Sequence, residues 1–579
     1  MGNQNCMIVF NRKTSLLILA ILLLGCGVRF YGLGFGLPHT QCRPDEDTII
    51  HIALGFFSGD LNPHYFFYPT LYMYLLYTIY YGYFFVRLQF GSSFAELLTE
   101  IAFHPNILYL ISRGVAALFG ALTVVMVYLI AKQTCDKRTA GIASFFMSIA
   151  YLHVRDSHFG TTDTVMTFLI TCAMYYILQC YHRRSIRHYL LAGIFTGLAT
   201  STKYGSMMLI IPMLLAHFGT YTAATESTLS SRMIKAITKP HFWVYGVTAI
   251  LSFFLCSPFI LLDFKTFLQH FFFQVDHIIL QEQREHFLLR GWWYHLRYTL
   301  PYGMGWGMFL TSLIGIGIHG KKETKMAIIL YAFPLVYYLV GGRGFVTFVR
   351  YMIPVVPFLC IASATCILKI TRILRQVCPR KYLLTVLIII VAVQPGYNVL
   401  RVDQLLSRKD NRVIAAEWIC QNLPSGNTIY QTGSVYGQVQ LPLSRETLQQ
   451  KYEEAFKSGS NAGLLRIQIE SLKNTDQYIG YHLWMQNIEE IESKAVTPPE
   501  YIILQESPLG MYGKISDAVR KLIDTQYTLI QAFEVFEEQS SFYWYDQMDA
   551  FYLPFVGFRS VIRPGPDLYI YKHHTVESN

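Results

Sequence analysis

Three acidic residues stand together in the segment Arg43-Pro44-Asp45-Glu46-Asp47. Carboxylates accept protons in general base catalysis and bind hard cations. Proline biases the residue before it toward extended backbone, and Asp is favoured as a helix N-cap, so the sequence predicts a short helix capped by Asp45. The helix dipole there favours ionised carboxylates. The segment therefore suits an ionised base or a cation ligand, and it equally suits an ordinary capped surface helix.

An apolar face supports the predicted helix. Ile49, Ile52, Ala53 and Phe56 follow the i, i+3, i+4, i+7 spacing of an amphipathic helix. The acidic first turn comes soon after an apolar segment that is long enough to cross a bilayer, so the sequence places the three carboxylates close to a membrane surface.

Composition defines the class of protein. The chain has 579 residues, of which 53% are hydrophobic, and its mean hydropathy is +0.32. These values exceed those of ordinary soluble proteins and indicate a polytopic membrane protein. The net charge of +10 does not indicate nucleic-acid binding, because Lys and Arg cluster in short loops between apolar segments. Eleven scattered cysteines show no CxxC pair, so neither a disulfide framework nor a zinc site is predicted.

Apolar stretches of roughly spanning length recur up to residue 400. We interpret the first, after Arg12 and Lys13, as an uncleaved membrane helix, because many further spans follow. The tyrosine-rich segment 67–90 suits the membrane interface better than the hydrocarbon core, and we predict that it does not cross. The predicted spans are 14–33, 106–131, 139–153, 164–181, 188–201, 204–219, 242–262, 300–319, 326–342, 351–369 and 382–400.

Basic loops orient these spans. Positively charged loops favour the cytoplasmic side, and all five fall on one side together with the N-terminus if 67–90 does not cross. The sequence thus predicts about eleven crossings, a cytoplasmic N-terminus and an extracytoplasmic C-terminus. The five loops contain Lys132/Lys137/Arg138, Arg183/Arg184/Arg187, Arg232/Lys235/Lys239, Lys321/Lys322/Lys325 and Lys369/Arg372/Arg375/Arg380/Lys381.

The chain becomes more polar from about Arg401, where a soluble domain is predicted to begin. Helical and strand patterns alternate there, which predicts a small α/β domain. The division is therefore 1–400 for the transmembrane domain and 401–579 for the extracytoplasmic domain. The predicted elements are a helix over Asn411 to Asn422, strands over Thr428 to Tyr430, Tyr501 to Leu504 and Tyr527 to Phe533, and a helix over Ser516 to Asp524.

Ionisable residues gather on the predicted outer face. Carboxylates opposite cations suit transfer from a phosphate-linked donor, in which a base deprotonates the acceptor and cations hold the leaving phosphate. Any one of these residues could instead be a loop charge, a snorkelling side chain or an interfacial residue. The set comprises Asp45, Glu46, Asp47, Arg155, Asp156, His158, Asp163, Lys203, Asp263, Arg343 and Arg350.

A series of motifs resembles the membrane glycosyltransferases of family 39, relatives of the protein O-mannosyltransferases and of the bacterial aminoarabinose transferase. The motifs are PDED at 44–47, GDLNPHYFFYP at 59–69, SRGVAALFGALTVVMVYLIAK at 112–132, HVRDSHFGTTD at 153–163 and GLATSTKYG at 197–205. In the tail, NRVIAAEWICQNLPSGNTIY at 411–430 and DAFYLPFVGFRSVIRPGPDLYIY at 549–571 resemble the extracytoplasmic domain of bacterial members. The resemblance implies a GT-C fold, a polyprenyl-phosphate sugar donor and an active site on the outer face.

The resemblance also implies roles for individual residues. Asp45 matches the base and Glu46 its partner, while Asp163, or less closely Asp156, matches the second outer-loop acid. Aminoarabinose transferases have a lysine directly before the proline pair of the first loop, whereas this chain has Phe67-Tyr68-Pro69-Thr70. Other cations must then hold the donor phosphate. The predicted substrate-binding residues are Lys203, Arg155, Arg343, Arg350, His158 and Tyr68.

The sequence as a whole predicts an α-helical polytopic membrane protein, GT-C-like, with a C-terminal soluble α/β domain. Its predicted function is inverting transfer of a sugar from a polyprenyl-phosphate donor to a hydroxyl of a lipid, glycan or protein. A transporter or flippase of lipid-linked sugars is the alternative, although transporters usually place ionisable residues near the bilayer midplane on broken helices. A catalytically silent scaffold is the third hypothesis. The only cofactor suggested is a divalent cation at Glu46 and Asp47.

The predicted orientation can be tested by labelling single cysteines in a cysteine-free background. A membrane-impermeant maleimide added to intact cells should label Gln404→Cys and spare Lys322→Cys, because the basic loop around Lys322 favours the cytoplasm. Labelling of both positions from the same side would rule out the arrangement with eleven crossings.

Overall fold

Helices follow one another from Arg12 to Leu406, as the apolar stretches predict. The computed structural model describes residues 12–221, 234, 236–279, 290–377, 380–457, 463–472, 479–483, 498–537 and 542–574. The helices of this helical region are α1 Arg12–Phe30, α2 Pro44–Gly55, α3 Leu71–Gln89, α4 Phe94–Phe103, α5 Asn106–Thr134, α6 Lys137–Ser148, α7 Tyr151–Asp156, α8 Thr162–Arg183, α9 Ile186–Thr200, α10 Ile210–Tyr221, α11 Pro240–Cys256, α12 Phe259–Leu262, α13 Phe264–Ile279, α14 Gly291–Tyr294, α15 Leu300–Met304, α16 Trp306–Lys322, α17 Thr324–Gly341, α18 Val356–Val377 and α19 Leu383–Leu406. Tighter or wider turns lie at Phe56–Ser58, Tyr204–Leu209, His295–Thr299 and Val349–Val355.

Several of these helices could cross a membrane. Among the described residues, five stretches are long and apolar enough, namely Asn106–Thr134, Thr162–Arg183, Thr324–Gly341, Val349–Val377 and the run from Leu383. Shorter apolar helices lie at Leu16–Phe30, Tyr204–Gly219 and Pro240–Cys256. The chain is therefore a multi-pass membrane protein, and the number of eleven crossings stays a prediction. Arg232, Lys235 and the side chains of Arg12 and Lys13, used for that prediction, lie outside the described part.

The tyrosine-rich helix α3 packs along the first turns of α5. The hydroxyl of Tyr72 donates to the carbonyl of Ser112 at 3.1 Å, and that of Tyr80 donates to the carbonyl of Leu108 at 3.0 Å. Both tyrosines are fully buried. Their bonds satisfy polar groups that would be costly to leave unpaired in the interior. Helix α3 is not among the described helices that are long and apolar enough to span.

The predicted span at 139–153 is not one continuous helix. Helix α6 ends at Ser148, and α7 begins at Tyr151. The last carbonyls of a helix have no hydrogen-bond partners within the helix. Here the buried Arg29 is their partner, because its guanidinium donates to the backbone carbonyls of Met147 and Ser148 at 3.1 Å each. A twelve-residue helix is only about 18 Å long, so α6 alone is short for a hydrocarbon core of about 30 Å. The break redirects the chain so that Arg155 and Asp156 lie on a separate short helix.

The tail forms the predicted α/β domain. Strands β1 Thr428–Thr432, β2 Ile479–Leu483, β3 Tyr501–Glu506, β4 Tyr527–Phe533 and β5 Asp567–His573 make one sheet in the order β2-β1-β3-β5-β4. Strand β1 is parallel to β2 and β3, and β5 is antiparallel to β3 and β4. The helices of the tail are α20 Asn411–Asn422, α21 Arg445–Lys457, α22 Gly463–Ser471 and α23 Asp517–Gln526.

Helices cover both faces of this sheet. Ile429 and Ile503 pack with Ile419 of α20 on one face, while Tyr430 and Ile502 pack with α23 on the other. Neighbouring residues of a strand point to opposite faces, which explains the two separate cores. The predicted helices and strands at 411, 428, 501, 516 and 527 all appear within a few residues of their predicted limits.

One segment of the tail, residues 542–562, packs against the helical region. Phe551, Leu553, Phe555 and Phe558 belong to the hydrophobic core of the helical region. Trp544 stacks on Tyr298, with ring centroids 5.4 Å apart and planes at 10°. Large aromatic side chains contribute much of the apolar area buried at such contacts. The tail is therefore anchored to the helical region through this segment.

Candidate active site

Helix α2 begins at Pro44, with Arg43 as its N-cap in extended conformation at φ −143° and ψ 113°. Proline suits the first helical position, because its missing N–H would have no partner there. Asp45 is therefore the second residue of the helix, and the prediction of Asp45 as N-cap is wrong. Its carboxylate is consequently free to interact with side chains from other elements.

Asp45 pairs with a cation from a distant part of the chain. The Oδ2 atom lies 2.8 Å from Nη2 of Arg350, and the hydroxyl of Tyr68 donates to the same oxygen at 3.3 Å. The side chain of Asp45 remains 24% exposed, whereas that of Arg350 is only 6% exposed. Both of these contacts fall on the same carboxylate oxygen, Oδ2.

Opposing effects set the pKa of Asp45. Burial by itself raises the pKa, but Arg350, Arg43, Lys203 and the hydrogen bond from Tyr68 outweigh burial and hold the pKa below its ordinary value. Burial raises the pKa of Tyr68 well above its usual range, so its hydroxyl keeps the proton that it donates. Asp45 is therefore an ionised carboxylate at neutral pH, in reach of solvent.

Asp163 and Lys203 form the second pair of the site. Nζ of Lys203 lies 2.7 Å from Oδ1 of Asp163. The ammonium group also lies 5.4 Å from the ring centroid of Tyr68 and 5.4 Å from that of Tyr351, within cation–π distance. Since Tyr68 contacts both Asp45 and Lys203, the two ion pairs belong to one site.

Glu46 points away from this site into the core. Its carboxylate receives two hydrogen bonds of 2.8 Å from Arg113 of α5 and one of 2.9 Å from the backbone N–H of Gly160. Glu46 and Arg113 are both fully buried. A Cβ at position 160 would lie 2.9 Å from the carboxylate and 2.1 Å from the hydroxyl of Ser112, so the close approach requires glycine. Glu46 thus fixes α2 to α5 and to the loop before α8.

Asp47 takes a third direction. It accepts a hydrogen bond from the hydroxyl of Tyr109 and lies 3.4 Å from the ring of His51. Asp47 also lines a cavity of about 1380 Å³ between α2, α4 and the tail, which Asp45 does not line. Among the described residues, no group of three or more His, Cys, Asp and Glu side chains is arranged to hold a metal ion. The shared cation site suggested for Glu46 and Asp47 therefore has no support in the geometry.

Two substrate-binding residues predicted from the sequence are not brought to Asp45. The ring nitrogens of His158 lie 3.0 Å from the carbonyl of Val154 and 2.9 Å from that of Tyr31, and burial lowers the pKa of His158 to about 4. Arg343 is exposed, and its backbone carbonyl accepts a hydrogen bond from Arg290 at 3.2 Å. His158 therefore links helices of the core, while Arg343 faces solvent or lipid.

A group of buried arginines borders the site. Arg155 of α7 pairs with Asp156 at 3.1 Å. Arg43, Arg155 and Arg350 all approach one further carboxylate, that of Asp549 in the tail. Sequence reasoning missed Asp549, although it begins the second tail motif. The sequence signal that could have identified Asp549 is an acidic residue within a strongly aromatic stretch.

Comparison with known proteins shows which proteins the chain is similar to. The family model for dolichyl-phosphate-mannose-protein mannosyltransferases matches residues 90–261, which include Arg113, Arg155, Asp163 and Lys203. The structure of ArnT from Cupriavidus metallidurans bound to undecaprenyl phosphate has the same fold, with a TM-score of 0.50 and 14% identity over 98% of this chain and 99% of ArnT. The chain therefore has the GT-C-like fold that its sequence motifs predict, and residues 90–261 are similar to this mannosyltransferase family.

A curated relative is similar to part of the chain. The candidate mannosyltransferase YkcB of Bacillus subtilis (strain 168) is 25% identical over 122 residues, which are 21% of this chain and 17% of YkcB. The match thus spans less than a fifth of that relative.

The buried pair of Glu46 and Arg113 predicts a large difference between two similar substitutions. Glu46→Gln should lower the free energy of unfolding by about 3 kcal/mol or more, because it leaves Arg113 charged and unpaired in the interior. Glu100→Gln is the matched control, since its pair with Arg87 is partly exposed to solvent and is worth about 0–1 kcal/mol. Thermal unfolding in detergent measures both. Equal midpoints for the two variants would contradict a structural role for Glu46.

Proposed function

We propose that this protein transfers a sugar from a polyprenyl-phosphate donor to an acceptor hydroxyl at the extracytoplasmic face, with inversion at the anomeric carbon. The observation that carries the proposal is the Asp45 carboxylate, ionised and partly exposed, and held through one oxygen by Arg350 and Tyr68. A carboxylate fixed in this way is suited to act as a general base. Its second oxygen is available for the acceptor hydroxyl.

In the proposed reaction, Oδ1 of Asp45 removes the proton of the acceptor hydroxyl. The acceptor oxygen then forms a bond to the anomeric carbon, and the bond from that carbon to the phosphate oxygen breaks. The lipid phosphate leaves with the bonding electrons. Because bond formation and cleavage occur on opposite faces of the sugar, the anomeric configuration inverts.

Lys203 and Arg350 are the cations best placed to hold the donor phosphate. Lys203 is mostly buried but retains some exposure, and it lies beside Tyr68, which contacts Asp45. Ammonium and guanidinium groups stabilise the charge on a leaving phosphate. The similarly folded ArnT was solved with undecaprenyl phosphate bound, which supports a donor of this chemical type. Of the two predicted arginines, we assign the phosphate to Arg350, because Arg350 pairs with Asp45 and Arg343 is exposed.

Asp163 has a supporting part in this proposal. Its carboxylate holds Lys203 at 2.7 Å, so it orients the ammonium group before the donor binds. Arg155 lies beside the site, where its guanidinium pairs with Asp156 and approaches Asp549. The acceptor hydroxyl belongs to a lipid, a glycan or a protein.

The role of Asp45 as base is tested by Asp45→Asn. The amide keeps the size of the side chain but cannot take the proton, so transfer should slow by at least about a hundredfold, while donor binding persists. Asp47→Asn is the matched control from the same helical turn, since Asp47 contacts Tyr109 and is not part of the two ion pairs of the site. Purified protein in nanodiscs is incubated with labelled polyprenyl-phosphate sugars and membrane extract, with and without chelator.

The opposite order of activities among these variants would require a different base. If Asp45→Asn kept near-normal turnover while Asp47→Asn or Asp163→Asn lost it, the catalytic role would move to that residue. Absence of transfer by the unmodified protein with every donor in the panel would count against the proposed function itself.

The phosphate site is tested by donor binding. Lys203→Ala should weaken binding of undecaprenyl phosphate by about 1.5 to 3 kcal/mol, the range for hydrogen bonds to charged groups. Lys203→Arg retains the charge and should retain most of the affinity, whereas Arg343→Ala should leave it unchanged because Arg343 lies outside the site. Native mass spectrometry of the protein in nanodiscs gives the affinities. A loss in Arg343→Ala with none in Lys203→Ala would place the phosphate elsewhere.

A further inference from the structure

Asp549 is a carboxylate of the tail that is buried beside the site in the helical region. Its loop is fixed by the neighbouring Asp546, which accepts hydrogen bonds from the backbone N–H of Val349 at 3.0 Å and from the hydroxyl of Tyr294 at 3.3 Å. On the other side, Phe551 packs edge-on against Phe159, with ring centroids 4.9 Å apart. Asp549 is thus held in place from both sides.

Three arginines from separate parts of the chain converge on Asp549. Arg43 donates a hydrogen bond to Oδ1, Nη1 of Arg350 lies 3.5 Å from Oδ1, and Nη2 of Arg155 lies 3.8 Å from Oδ2. All four side chains are at most 6% exposed. Like charges brought together in an interior repel strongly unless a counter-charge lies between them. Asp549 supplies that counter-charge.

Arg350 connects Asp549 to the proposed base. One end of its planar guanidinium, Nη2, contacts Asp45, and the other end, Nη1, faces Asp549. A guanidinium has its donors in a rigid fork, so fixing one end orients the other. Arg43 adds a second connection, because it is the N-cap of the helix that carries Asp45. Asp549 therefore acts on Asp45 through two arginines.

We propose that Asp549 is a positioning residue for the reaction: it orients Arg350 toward Asp45 and neutralises part of the arginine charge, so that Asp45 keeps its place and its basicity. This inference rests on the proposed function. The role of Asp549 makes the tail domain a necessary part of the active site, although the proposed base and the phosphate-binding cations all come from the helical region.

The charge of Asp549 has a predictable effect on Asp45. Without it, the arginines are less neutralised, and the more positive potential favours the ionised form of Asp45 and lowers its pKa. A carboxylate with a lower pKa is a weaker base, so proton removal slows. The charged and titratable groups around Asp45 are Arg43, Glu46, Asp47, Tyr65, Tyr68, Asp163, Lys203, Arg350, Tyr351, Tyr436 and Tyr512. Substitution of Asp549 changes none of them chemically.

The test compares Asp549→Asn and Asp549→Glu with the unmodified protein, each as the full chain in nanodiscs. Asp567→Asn is the control from the same tail, since that carboxylate accepts a hydrogen bond from the N–H of Val535 and faces acidic neighbours instead of the arginines. The first readout is the pH profile of transfer. The second does not require activity: it is the pH dependence of carbodiimide labelling at Asp45, which reports its protonation and is quantified by peptide mass spectrometry.

In Asp549→Asn, the acid limb of the profile and the labelling midpoint should both move to lower pH by about half a unit or more. The kcat should fall about three- to tenfold, with the donor KM nearly unchanged. Asp549→Glu keeps the charge and should restore the pH profile, although its longer side chain will shift Arg350 and leave kcat reduced. The control Asp567→Asn should match the unmodified protein in both readouts.

An unchanged profile and labelling midpoint in Asp549→Asn would overturn the inference. Failure of both Asp549 variants to fold would overturn it as well, because the residue would then be structural. If the unmodified protein showed no transfer, the proposed function would fail, while the labelling midpoint would still decide whether Asp549 sets the protonation of Asp45.

Discussion

Compensation of buried charge is the constraint on which the site depends. An ionised side chain in an interior costs several kcal/mol unless an opposite charge and hydrogen bonds offset its lost hydration. Glu46 and Arg113 meet this condition with paired hydrogen bonds and complete burial, and they fix the direction of α2. Asp45 meets it through Arg350 while keeping some exposure. The position of the proposed base thus follows from two ion pairs made by adjacent residues.

The same constraint explains why the tail contacts the helical region where it does. Arg43, Arg155 and Arg350 lie close together, and Asp45 and Asp156 alone do not balance their charge. Asp549 adds a carboxylate that all three guanidinium groups approach. The aromatic residues on both sides of Asp549 then bury apolar surface against the helices. Position and charge together make this segment of the tail part of the site.

The sequence predicted those features that depend on local patterns. The amphipathic helix after Asp45, the helix at 411–422 and the strands at 428, 501 and 527 follow from periodicity and turn residues. It did not predict the break between α6 and α7, which depends on Arg29 binding the carbonyls of Met147 and Ser148. Nor could it decide between Arg343 and Arg350, because the tight turn at Val349–Val355 buries only the second. Asp549 was missed because its partners lie hundreds of residues away in sequence.

Helix geometry also explains why three consecutive carboxylates do not share one task. Successive residues of an α-helix are rotated by about 100°, so Asp45, Glu46 and Asp47 must face three directions. Asp45 faces Arg350, Glu46 faces α5, and Asp47 faces Tyr109 and the large cavity. A cation bound jointly by Glu46 and Asp47 would have to displace Arg113 from a fully buried pair, at a cost of several kcal/mol. The triplet therefore provides the proposed base, one structural anchor and one cavity-lining acid.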